Sequence, residues 1–445
     1  MNNCNEEANV GVGGALPKIE KCKVYKIRWL VLAIFVVYSA SNAMQWVQYS
    51  IISEVITNYY KVSTDWVNWT SMIYMVLYIP FIFPGSYILD KLGLRVSVII
   101  GIIGTCAGSW IKVGSVHPDR FWVGFLGHSI VALSQVFILS VPARLAAVWF
   151  GPSQVSSACS IGVFGNQLGV AIGFLLPPML VKIETSVEET TKDLYVMFIA
   201  MAIFTTVLLI LILIFFKDGP PTPPSFAQVQ TTQDDGESES FLISVKKLMM
   251  NSSYVLLLAA YGINVGVFYA ISTLLSQIIT QHYEGALEDA GRIGLVIVCA
   301  GMVGSVVCGI VLDKFHKFKE TTLVVYAFSL VGMVIFTFTL DKGIAVVYVT
   351  AALLGFFMTG LLPVGFELAA ELTYPEPEGT SAGLLNAGSQ LFGIIFTIVY
   401  SELFYSLGDV WSNVVMSAML LLGTILTACI HSDLRRQAAQ MSEKK

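Results

Sequence analysis

The residues with chemistry to offer sit where a membrane helix ordinarily carries Leu, Ile and Val. They form the string Asn42-Ala-Met-Gln-Trp-Val-Gln-Tyr49, in the middle of the first long apolar run. At helical spacing Asn42, Gln45, Trp46 and Tyr49 recur at i, i+3, i+4 and i+7, which is one face. Amides offer hydrogen bonds, and aromatic rings offer a face that attracts cations. Such a face costs free energy against lipid, so it looks into a bundle or a watery cavity. Two uses fit. It lines a path for a polar substrate, or it is hydrogen-bond glue between helices, worth about 1–2 kcal/mol or less.

The elements that must position these residues follow from composition. Of 445 residues 56% are hydrophobic and 12% charged, with mean hydropathy +0.74, which indicates an all-α polytopic membrane protein. Spans of about 20 residues are expected near 28–52, 69–89, 96–114, 121–147, 155–181 and 194–216, then near 252–280, 291–312, 321–340, 344–370, 380–407 and 411–431. The division is thus a tail (1–27), a six-helix bundle (28–216), a polar linker (217–250), a second six-helix bundle (251–431) and a second tail (432–445). Residues 1–27 lack the pattern of a cleavable signal, so the first helix is expected to be its own anchor. The linker opens Asp218-Gly-Pro-Pro-Thr-Pro-Pro224, a composition for an extended segment.

Threading twelve spans puts Lys18 to Arg28, Lys91, Arg95, Lys217, Lys246, Lys247, Lys314 to Lys319, Arg435 and Arg436 on one side. Both termini and the linker are therefore expected in the cytoplasm. Asn68-Trp69-Thr70 is a glycosylation sequon on the outer side, close against a span. None of the seven cysteines falls in an outer loop, so no disulfide framework is expected.

The two halves repeat each other. Leu89-Asp90-Lys91 matches Leu312-Asp313-Lys314, and Arg144-Leu-Ala-Ala147 matches Glu367-Leu-Ala-Ala370, both 223 residues apart. Pro152 and Pro375 keep that interval, and Ser157-Ala158 matches Ser381-Ala382 one residue further on. Several matches at one offset indicate a parallel duplication of six helices. Trp46 and Tyr269 also stand 223 residues apart, in helices 1 and 7, which face each other across the cavity of a parallel-repeat carrier. Asn166 and Gln390 make a second matched pair, 224 apart, and Gln135 lies mid-way along an apolar helix 4. For Gln390 the two uses, ligand contact and helix–helix bonding, remain equally open.

The turns Gly85-Ser-Tyr-Ile-Leu-Asp90-Lys91-Leu-Gly93-Leu-Arg95 and Gly309-Ile-Val-Leu-Asp313-Lys314 resemble the signature of the major facilitator superfamily, the second copy degraded at His316 and Phe318. Asn42 to Ile52, Pro142-Ala-Arg-Leu-Ala-Ala-Val-Trp-Phe-Gly-Pro152 and Glu367-Leu-Ala-Ala-Glu-Leu-Thr-Tyr-Pro-Glu-Pro377 resemble the feline leukemia virus subgroup C receptor family. That resemblance implies the major facilitator fold and a carrier of choline and ethanolamine, a family once discussed as haem exporters. It maps a cation cage onto Trp46 and Tyr269 and hydroxyl-binding amides onto Gln135 and Gln390; Asn42, Gln45 and Tyr49 are expected as cavity lining from the polar face alone. It also marks Asp90, Arg95 and Asp313 as conformational charges.

Choline is a fixed cation without an N–H, and suits aromatic faces. No Asp or Glu stands mid-span, so uncoupled facilitated diffusion is expected. Arg144 and Glu367, equivalent positions of opposite charge, are expected to pair as a gate when the carrier opens outward, or else to pair constitutively. Haem transport is the alternative; it wants an axial ligand and basic groups, and the spans offer His128 alone. A non-transporting receptor is a third reading, with little outer loop to serve it. No enzyme, cofactor, metal site or nucleic-acid partner is expected. The chain is expected to be a monomer in the plasma membrane, with a mitochondrial or other organelle membrane as the alternative.

Overall fold

The computed structural model describes residues 22–151, 154–183, 186–224, 241–376, 378–435 and 438, and among them the chain is helical throughout, without a strand. The first half comprises α1 (Ile27–Ala43), α2 (Ser53–Tyr60), α3 (Thr64–Leu92), α4 (Leu94–Val113), α5 (Phe121–Ser134), α6 (Val136–Leu139), α7 (Val141–Trp149), α8 (Val155–Leu180) and α9 (Val187–Phe215). A short α10 (Phe241–Met250) leads into α11 (Ser252–His282), α12 (Leu287–Phe315), α13 (Phe318–Thr339), α14 (Ile344–Thr373), α15 (Glu378–Leu407) and α16 (Asp409–Ala428).

Eleven helical segments are long and apolar enough to cross a bilayer among the described residues, and α1 is a shorter apolar helix of 17 residues. At roughly 1.5 Å per residue, α1 alone falls short of a hydrocarbon core about 30 Å thick. A turn over residues 44–49, a 3-10 segment (Ser50–Ile52) and α2 carry the first span onward. This corrects the expected single helix over 28–52. The fourth span is interrupted too, at Gln135 and at Ser140, where α5 gives way to α6 and α7.

Helices α1 and α3–α9 pack as one bundle, through α4 on α5, α1 on α8 and α4 on α9; α11–α16 form the other, through α12 on α14, α11 on α15 and α13 on α14. The outer faces are apolar: Ile203, Ile214, Val306, Ile310 and Val349 are each more than half exposed, as helices solvated by lipid require. Asp218, at the start of the linker, accepts from the Arg95 backbone N–H at 3.0 Å and so places a carboxylate at the N-terminus of α4. Gly93 makes room for that carboxylate with φ +90°; a Cβ there would lie 2.6 Å from Asp218 Oδ1. The bundles meet along α8 with α12 and α3 with α15.

Candidate functional site

The break in the first span is made by backbone tightening. Gln45, Trp46 and Gln48 donate to the carbonyls of Asn42, Ala43 and Gln45, three residues back instead of four. No Gly or Pro lies in this stretch to impose it. The side chains do so instead, because Asn42 Nδ2 donates to Thr105 Oγ1 (3.2 Å) and to the Val131 carbonyl (2.9 Å), and Gln45 Nε2 to Ser109 Oγ (3.1 Å). Close approach also comes from α8. Gly173 lies so near the turn that a Cβ on it would stand 2.6 Å from the Met44 carbonyl oxygen.

The break decides what reaches the seam between the bundles. Trp46, 7% exposed, points at Tyr269 of α11, ring centroids 5.4 Å apart and planes at 73°, an edge-to-face contact across the seam. Gln390 of α15, buried, donates from Nε2 to the Tyr269 hydroxyl at 3.3 Å. Three of the expected site residues thus come together. Gln135 stands at the α5–α6 interruption, half-buried, and its Oε1 is buried without a hydrogen-bond partner.

Asn42, Gln45 and Tyr49 are turned away from the seam, contrary to the shared face expected at regular helical spacing. The two amides bond to α4 and α5, as above, and serve in this conformation as glue. Tyr49 is enclosed by Phe198 and by His128, ring centroids at 5.7 and 5.0 Å. The break accounts for the two amides: with three residues per turn, 42 and 45 share a face with 48, and Trp46 leaves it. Gln48 and its partner Lys112 were not singled out by sequence; a Lys inside the run Ser109-Trp-Ile-Lys-Val113 was the available signal.

The family model described as Major Facilitator Superfamily matches residues 34–397. The chain is 52% identical over 418 residues to the choline/ethanolamine transporter flvcr2b of Danio rerio, covering 94% of this chain and 86% of that one. It is 48% identical to the choline/ethanolamine transporter FLVCR2 of Homo sapiens, covering 94% and 80%. The chain belongs to the feline leukemia virus subgroup C receptor family of the major facilitator superfamily. Among solved structures it is similar in fold to a bacterial homolog of the lysosomal transporter Spinster, inward-facing and unoccupied (TM-score 0.71, 11% identity, covering 91% and 97%). A D-xylose–proton symporter is similar to the same degree (TM-score 0.71, 13% identity, covering 92% and 98%).

In this member of the superfamily the seam is tied at one end. Gln277 Nε2 donates to Asn68 Oδ1 (2.7 Å), Asn68 Nδ2 donates to Ser401 Oγ (3.3 Å), and the hydroxyls of Ser71 and Thr273 meet at 2.8 Å. Tyr405 donates to Gln277 Oε1, and Phe174 and Pro178 of α8 pack on Gly291 and Gly294 of α12. Asn68, read in sequence as a sequon, is 1% exposed and buried in this contact. At the opposite ends of their spans lie Arg144, half-buried, and Glu367, exposed. Arg95 contacts its own bundle, donating from Nη2 to the Leu213 carbonyl at 3.0 Å. The side chains of Asp90 and Asp313 lie outside the described residues.

Proposed function

We propose that this protein is a facilitative carrier of choline, and of ethanolamine, that works by alternating access with the Trp46–Tyr269 corner as host for the cation. The observation that carries this is the contact of those two rings across the seam, at equivalent places in the two repeats. A quaternary ammonium donates no hydrogen bond, and each aromatic face within about 6 Å contributes roughly 0.5–2 kcal/mol. Because the rings touch edge to face, a cation near both centroids sits in their corner or parts them. The substrate hydroxyl needs a donor and an acceptor; Gln390 and the unpartnered Oε1 of Gln135 supply amides for it. Ethanolamine brings three N–H donors and leans on the same oxygens more than on the rings.

The relatives named as choline/ethanolamine transporters support the same substrate class. His128, the imidazole a haem would require, is 0% exposed between Tyr49 and Tyr74, which favours the small cation. Neither α11 nor α15 carries an Asp or Glu within ten residues of Tyr269 or Gln390. Hence the driving force is the substrate gradient plus membrane potential, about 2.3 kcal/mol per charge per 100 mV. We assign the Asn68 end to the outside and the Arg144 end to the cytoplasm, with Arg144 and Glu367 pairing when the carrier opens outward.

The test is labelled choline uptake in cells expressing the protein, with sodium replaced, pH varied and potential clamped. Uptake above control, indifferent to sodium and pH and steeper at inside-negative potential, is expected. Uptake no greater than in control cells would overturn the substrate, and dependence on sodium or protons would overturn the uncoupled mechanism.

A further inference from the structure

The polar residues of the first span pair in order with one face of α4. Asn42 meets Thr105, Gln45 meets Ser109, and Gln48 Oε1 accepts from Lys112 Nζ at 2.8 Å, with sequence separations of 63, 64 and 64. On α4 the partners stand at i, i+4 and i+7, one face of a regular helix. On the first span they stand at i, i+3 and i+6, the period of the tightened turn. All six side chains are at most 2% exposed. The result is a three-rung polar ladder, with the first two rungs where the chain leaves α1 and the third two residues beyond Trp46.

The third rung differs in kind. Lys112 is 1% exposed, Gln48 is its hydrogen-bond acceptor, and Nζ also lies 5.7 Å from the centroid of the Tyr49 ring. Among the described residues no Asp or Glu comes within ion-pair distance of it. An amine buried that deeply is costly to leave without a partner, so the Gln48 contact is strongly enforced. Gln48 in turn lies at the far side of the turn that carries Trp46.

We propose that Lys112 is a positioning residue for transport: by donating to Gln48 it fixes the turn that presents Trp46 to Tyr269. The assignment rests on the choline site proposed above. Lys112 acts through the placement of Trp46 and touches no substrate. Losing the rung therefore weakens binding in both directions of the cycle and leaves the rate of the loaded carrier close to its original value.

The test is the choline KM and Vmax of the wild type, Gln48→Leu, Lys112→Met and the double variant, each normalised to protein at the membrane. Each single change is expected to raise KM about five- to tenfold with Vmax within about twofold, and the double to be no worse than either single, because both act through one contact. A wild-type KM in the single variants, or effects that multiply in the double, overturns the proposal. Where Lys112→Met does not reach the membrane, Lys112→Arg replaces it. That variant keeps a donor and should retain a near-wild-type KM beside Gln48 but not beside Gln48→Leu; equal KM in both backgrounds overturns the proposal. Trp46→Ala is measured alongside. Absent wild-type uptake removes the choline site and this proposal with it. Uptake lost in Trp46→Ala yet untouched by the rung variants removes the positioning role alone.

Discussion

Tyr269 combines two contributions that can be separated. Its ring meets Trp46, and its hydroxyl accepts from Gln390 at 3.3 Å. Tyr269→Phe keeps the face and removes a hydrogen bond worth about 0.5–1.5 kcal/mol, so choline KM should rise about two- to tenfold in uptake assays, with transport retained. A loss as complete as that of Tyr269→Ala would show that the hydroxyl, and not the ring, does the binding. At this scale the sequence is informative where the duplication speaks. Trp46 and Tyr269 are legible because one offset relates them to the repeated turns. Asn42 and Gln45 are not, since the face they share with Trp46 presumes 3.6 residues per turn through a segment that has about three.

The decisive element is the first span, whose helix stops at Ala43 so that one aromatic ring leaves the polar ladder and crosses the seam. Its tight seat on α8 makes Gly173 the sensitive position. Gly173→Val drives a side chain into the Met44 carbonyl, and overpacking of this kind costs about 1–3 kcal/mol. The expected outcome is a lowered thermal midpoint of the detergent-solubilised protein together with weakened choline uptake. An unchanged midpoint and uptake would mean that the turn has room to shift. The existence of the spans was readable from hydropathy alone; of the twelve expected, eleven are single segments long and apolar enough to cross among the described residues, and the first is the shorter α1. The break was not, because Ser41-Asn-Ala-Met-Gln-Trp46 holds neither Gly nor Pro and its cause lies in side chains of α4, α5 and α8. The interruption at Gln135 was hidden too, because Leu133-Ser-Gln-Val-Phe137 also holds neither Gly nor Pro.

At the scale of the whole molecule, two bundles are held together at one end by a small network of amides and hydroxyls around Asn68, Gln277 and Ser401, with the Asp65 carboxylate accepting from Ser401 at 3.5 Å. Such contacts are strong enough to close a seam and weak enough to reopen it, at about 0.5–1.5 kcal/mol each. Gln277→Leu removes the donor to Asn68 Oδ1 and the acceptor of the Tyr405 hydroxyl. In a Ser71→Cys background it should raise labelling by an impermeant thiol reagent applied outside about tenfold, given the cost of buried groups left unpaired; unchanged labelling would remove the network from the closure. The six-plus-six plan was legible, whereas this network was not, because Asn68 in isolation reads as a sequon and Gln277 as an ordinary helix amide. What unites the scales is the claim that a cation is held by aromatic faces where the two repeats meet. Choline binding to purified protein, measured by titration calorimetry for the wild type, Trp46→Phe and Trp46→Leu, tests it most directly. Phe should keep affinity within about fivefold, while Leu, equally apolar but without a π face, should lose about tenfold or more. Wild-type affinity in Trp46→Leu would contradict it.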